Sequence, residues 1–180
     1  MSFNNIAIVL KQQGKYDEAL KYYRSALEMQ EKYYPTGHIE IATSLHNIGN
    51  ILRQKGMYDE AHDYYQRALK IQEKYYPIGH IGIASTLHNI GLTLYYQEKY
   101  VEAISYHLQA LKIHQQYYPS NHIGTIEILN DIEQCNEMQQ KIIGGSVYEP
   151  NTLTIYEENL HHRHQEIAVH KAKARACIIL

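Results

Sequence analysis

Residues 45–49 read Leu-His-Asn-Ile-Gly, and residues 87–91 read Leu-His-Asn-Ile-Gly again. The echo extends in both directions. Gly37-His38-Ile39 returns as Gly79-His80-Ile81, and Asn121-His122-Ile123 follows at the same 42-residue interval. Tyr33-Tyr34-Pro35 returns as Tyr75-Tyr76-Pro77 and as Tyr117-Tyr118-Pro119. Residues 37–78 laid without a gap on 79–120 agree at 22 of 42 positions. A period of this length marks stacked supersecondary units rather than one globular core.

Each unit reads as two helices. Ile41, Leu45, Ile48 and Leu52 recur at three- and four-residue steps, which predicts an amphipathic helix A. Gly56 ends it, as a residue able to take positive φ. Asp59 and Glu60 then open helix B, where a helix N-terminus favours negative charge. Ala61, Tyr64, Tyr65, Ala68, Leu69 and Ile71 form its apolar face, and Pro77 with Gly79 breaks it. Small residues recur where the two helices must meet: Ala7, Gly49 and Gly91 on helix A; Ala19, Ala26, Ala61, Ala68, Ala103 and Ala110 on helix B. Tyr23 and Tyr65 are the large knobs between them, their hydroxyls expected to reach water at the edge. A single helix pair buries too little to stand alone, so the pairs must stack.

Composition narrows the class. The chain has 180 residues, with 17 Lys plus Arg against 19 Asp plus Glu and a net charge of −2. That balance predicts no nucleic-acid footprint. No apolar run approaches the ~18 residues of a membrane span. The first ten residues lack a basic n-region, so no secretory signal is expected. Cys135 and Cys177 cannot make a disulfide framework. A soluble, intracellular, helical chain is the expectation.

The small residue in helix A, Gly-x-Tyr-x-Glu-Ala at the turn, and Tyr with Ala-Leu in helix B resemble the tetratricopeptide repeat (TPR). The 42-residue spacing, Leu-His-Asn-Ile-Gly, and the Ala-Leu-Lys-Ile-Gln-Glu-Lys run are similar to the kinesin light chain type. The resemblance implies an all-α fold, a right-handed superhelical solenoid of antiparallel helix pairs. Repeats fall at 1–36, 37–78 and 79–120, with a capping half-repeat at 121–142. The pattern departs in the third unit, where Glu98 replaces the turn glycine and His107 the large aromatic. In the half-repeat, Glu133 stands where a small residue would meet a partner helix.

In this family the A helices line a concave groove that takes an extended peptide. By register, that implies Asn4, His46, His88 and Asn130, then Asn5, Asn47, Asn89 and Asp131, with Asn50, Lys11, Arg53, Tyr95 and Tyr96 further along. The expected site is Asn5, His46, Asn47, Asn50, Arg53, His88, Asn89, Tyr95 and Tyr96. Each amide offers donors and an acceptor to a peptide backbone, although Asn47 and Asn89 suit an equally structural role. Surface tyrosines in a groove suit anchoring. Arg53 and Lys11 point to peptides with aromatic and acidic residues. Clamping of a chaperone's C-terminal carboxylate is not expected, because Asn4, Thr43, His46, Ser85, His88 and Asn89 hold none of the permanent cations that family members use for it.

No catalytic constellation stands out, and no phosphate loop or Cys-x-x-Cys is present. The loop histidines His38, His80 and His122 are expected to cap or pack. His161, His162 and His164 look metal-like, but Arg163 among them opposes a cation, so neither a metal nor a cofactor is expected.

After Ile142 the repeats stop. Residues 143–156 read as a linker and 157–180 as a basic, His-rich helical tail ending Cys177-Ile178-Ile179-Leu180. That ending matches a prenylation box, with Lys171, Lys173 and Arg175 as the second anchoring signal. Lipidation of Cys177 would make an otherwise cytoplasmic chain peripheral to a membrane. Residues 146–160, with Tyr148-Glu149 and Tyr156-Glu157-Glu158, are the aromatic-acidic kind of segment the groove should take, so the tail can occupy the groove and compete with partners, the favoured alternative being a disordered linker that feeds a solvent-exposed helix. The functional expectation is a non-catalytic adaptor; the alternative is a regulatory or docking array from a larger enzymatic or motor-associated protein.

Overall fold

The computed structural model describes residues 3–34 and 37–143. Seven α-helices follow in order: α1 (Phe3–Gln12), α2 (Tyr16–Tyr33), α3 (Ile39–Gln54), α4 (Tyr58–Tyr75), α5 (Ile81–Tyr96), α6 (Tyr100–Tyr117) and α7 (Ile123–Ile143). The described residues contain no strand. Each helix packs on its neighbours in sequence, and the A-type helices also touch at one remove, α3 on α5 and α5 on α7. Among the described residues the result is the expected stack of three helix pairs closed by a single helix. The linker and tail, with Cys177, the His161–His164 cluster and the segment 146–160, lie outside the described residues.

Short-range signals place the helix ends. Gly14 and Gly56 take φ of 73° and 76° in the A–B turns, and Glu98 takes the same left-handed conformation at 61°. That strain is the cost of losing glycine from the third turn. The loops between units use a repeated device. His38, His80 and His122 each accept a hydrogen bond through Nδ1 from the backbone N–H two residues on, at 3.3, 3.0 and 3.2 Å. Each ring stacks on the tyrosine that directly follows the preceding helix B: Tyr34 at 4.1 Å, Tyr76 at 3.8 Å and Tyr118 at 4.2 Å. The imidazole thus satisfies an orphan N–H at the helix start and clamps it to the end of the previous helix. The expected capping role of these histidines is what the loops use.

Inside each pair the small residue of helix A faces a ring of helix B. A Cβ on Gly49 would lie 2.8 Å from Tyr65, and one on Gly91 would lie 2.5 Å from His107. Ala7, Ala19, Tyr23, Ala61, Tyr65, Ala103, His107 and Ala110 are all fully buried. The tyrosine hydroxyls differ from the expectation of solvent contact. Tyr65 donates to Asn50 Oδ1 at 2.7 Å, and the Tyr23 hydroxyl is buried without a partner among the described residues. In α7, Ile128, Leu129, Ile132 and Cys135 turn inward while Glu133 is exposed on the face that has no partner helix.

Gly49→Leu should overpack the α3–α4 contact and lower unfolding free energy by about 1–3 kcal/mol. Chemical denaturation of the two proteins measures it, and equal midpoints would mean that the contact is not close.

Candidate functional site

At about 100° per residue, His46, Asn50, Arg53 and Asn47 fall within one ~120° arc of α3, and His88, Tyr95, Tyr96 and Asn89 fall on the same arc of α5. At the first end of this face a cavity of about 770 Å³ opens between α1, α2 and α3. Asn5 and Asn47 line it together with Phe3, Met29, Tyr33 and Glu40. Met29 and Tyr33, in the last turns of α2, are 48% and 70% exposed. A smaller cavity of about 240 Å³ sits in the corresponding place at the far end, between α5, α6 and α7, and His88 lines it.

Not every residue of the arc offers its polar atoms to a ligand. Asn50 is engaged by Tyr65, so it holds the ring of the helix pair. His46 Nδ1 lies 3.0 Å from Thr86 Oγ1 on the next A helix, and its ring meets Tyr65 edge-on at 5.5 Å. Arg53 lies beside the Tyr65 hydroxyl, whose pKa burial pushes up to about 12 against the pull of that guanidinium. Tyr96 stacks on Tyr58 at 5.1 Å, and Tyr95 meets both Tyr96 and Tyr100 edge-on at 5.5 Å. These tyrosines join the turn ends of adjacent units. Asn47 and Asn89 are half-buried, and Asn47 opens on the large cavity.

Burial, then Lys11, then Arg53 push the pKa of His46 down to about 4. Both cations act on this histidine, and its neighbour in sequence, Asn47, lines the large cavity.

At the far end is a cluster that the sequence reading passed over. His88 Nε2 lies 2.6 Å from Asp131 Oδ2. The His107 ring meets His88 edge-on at 5.2 Å, and both its nitrogens are buried without a hydrogen-bond partner among the described residues. Burial and His88 lower the His107 pKa to about 4, against the pull of Asp131. The signal lies in the repeats: the third unit departs from the second with His107 for Tyr65 and Leu92 for Asn50, and the half-repeat departs from the third with Asp131 for Asn89.

The tetratricopeptide repeat model matches residues 1–74 and 82–142. The chain belongs to the tetratricopeptide repeat family. BtubC (BKLC) from P. vanneervenii is similar at 17% identity and a TM-score of 0.67, over 82% of this chain and 65% of its own. The kinesin light chain nearly identical TPR-like repeats of Podosopora anserina superpose with a TM-score of 0.67 at 16% identity, over 95% of this chain and 88% of theirs. The apo form of RapI gives 0.70 at 18% identity, over 92% of this chain and 56% of that one. At these identities the likeness is one of fold. The chain thus spans about two thirds or less of BtubC and RapI, but most of the Podosopora repeats. No curated protein matches the chain.

The depressed pKa of His46 makes stability depend on pH. The unfolded chain takes up this proton near 6.5 and the folded one near 4. The contribution of neutral His46 is complete above about 6.5 and is lost as pH falls toward 4. Melting temperature should drop across that window, and His46→Asn should flatten the drop. Parallel curves for the two proteins would remove His46 from the account.

Proposed function

We propose that this TPR protein is a non-catalytic adaptor that binds an extended peptide along its concave groove. The observation that carries the reading is an apolar, aromatic-lined cavity bordered by Asn47, with two cations acting on the adjacent His46. Phe3, Met29 and Tyr33 offer an anchor site at the first end, and Lys11 and Arg53 both bear on His46. An aromatic side chain gains from the first and a neighbouring carboxylate from the second. The half-buried amide of Asn47 bridges the two zones, where a peptide backbone would run. Few interface residues dominate such contacts, so the cavity and the two cations should carry most of the affinity.

The family is generally non-catalytic. The chain spans 65% of BtubC and 56% of RapI, which supports a second reading, a docking array within a larger protein. Both readings use the same groove. Lipidation of Cys177 would add membrane tethering to either.

Selection from a random peptide library on the full chain should enrich sequences with an aromatic residue near Asp or Glu. Lys11→Glu combined with Arg53→Glu should weaken a selected peptide at least tenfold and abolish the acidic preference. Enrichment of basic peptides, or indifference to the double reversal, would overturn the assignment. For the tail, the intact chain should partition to membranes in cells and Cys177→Ser should not; equal fractionation would dismiss tethering.

A further inference from the structure

We infer that His88, His107 and Asp131 form a binding site for a divalent transition cation of the zinc class at the far end of the groove. One donor atom from each of the three residues lies within 4.8 Å of the others. A tetrahedral zinc ion at ~2.0–2.1 Å from each ligand holds the donors about 3.3 Å apart. Small side-chain rotations, which part His88 from Asp131 and draw His107 inward, reach that spacing. Two imidazoles and one carboxylate are a donor set suited to zinc and its neighbours in the first transition series, and poorly suited to magnesium or calcium.

The second observation is independent of the spacing. His107 is fully buried, yet both its ring nitrogens lack a partner among the described residues. Buried polar atoms are nearly always satisfied, and leaving one unpaired costs about 1–3 kcal/mol. In the second unit the equivalent ring is Tyr65, satisfied by Asn50. In the third unit the position of Asn50 holds Leu92, which has no polar atom to offer. His107 thus gains a lone pair and loses the partner that its predecessor used. The half-repeat that packs next to it brings Asp131 where earlier units carry Asn47 and Asn89. A metal ion satisfies one nitrogen of His107 and gives the new carboxylate its counter-charge.

Access is available. The side chains of His88 and Asp131 are each 22% exposed, and His88 lines the smaller cavity. Three protein ligands leave a fourth position for water or for a donor atom of a bound peptide. The ligands are 19 and 24 residues apart and lie on α5, α6 and α7, so a search for closely spaced histidines does not find them. A bound ion would tie the closing helix to the last pair.

The test uses the full chain with His161→Ala, His162→Ala and His164→Ala as a common background, which removes the histidine cluster outside the described residues. Titration with zinc chloride should show one ion bound, with a rise in melting temperature, and magnesium chloride should give neither. Asp131→Asn restores the residue of the second unit and should weaken zinc at least tenfold, the lower end of what losing even an outer-shell partner costs. His107→Tyr with Leu92→Asn rebuilds the Tyr65–Asn50 pair, keeps the helix contact and should do the same. A cobalt(II) titration should give a visible ligand-field band in the background protein and not in either variant. Zinc binding that is absent from the background, matched by magnesium, or kept by both variants with native far-UV spectra would overturn the site. If one variant fails to fold, the other decides.

Discussion

A ring pressed against a helix that has no side chain to oppose it sets the geometry of this molecule. Gly49 lets the ring of Tyr65 approach to where a Cβ would stand. That approach fixes how close helix A and helix B lie within the pair. The remaining buried residues, small on helix B and branched on helix A, fill the space that this distance leaves. Helices as close as this stack face to face, and the A helices come to line one side. The groove is therefore a product of the pair contact, and Asn50 serves the contact first by taking the Tyr65 hydroxyl.

This dependence explains what the sequence discloses. Helix order, turn positions and the small-to-large pairing follow from period and residue size, which survive in one chain because it carries several copies of itself. The loop histidines were also readable, since Tyr34, Tyr76 and Tyr118 repeat in step with them. The candidate site was less legible. Helical register places His46, Asn50 and Tyr96 on the groove side, but it is blind to partners that arrive from other units. Thr86 lies 40 residues from His46, and Tyr58 lies 38 from Tyr96. Whether a polar atom is free for a ligand depends on such neighbours.

Function concentrates where the copies disagree. Positions kept in every unit hold the fold, as the Tyr–His stacks and the small residues do. Structural neighbours at 16–18% identity preserve the same architecture, so the architecture does not distinguish among ligands. The large aromatic cavity at one end and the His88–His107–Asp131 cluster at the other each sit where one unit meets the next, and each includes residues that the other junctions do not share. The two ends of one groove are thereby given different chemistry.

The stacked Tyr–His caps have a consequence for how the chain acquires its structure. Each unit carries its own start and stop signals, and nearly all packing joins elements adjacent in sequence. Contact order is accordingly low, and loop-closure entropy is small at every step. Folding can begin within one helix pair and spread to its neighbours as in a one-dimensional chain of coupled elements. The pairs α3–α4 and α5–α6 both have neighbours on two sides, whereas α1 and α7 lie at the ends of the described stack. Amide protons of α3 to α6 should therefore exchange more slowly than those of α1 and α7.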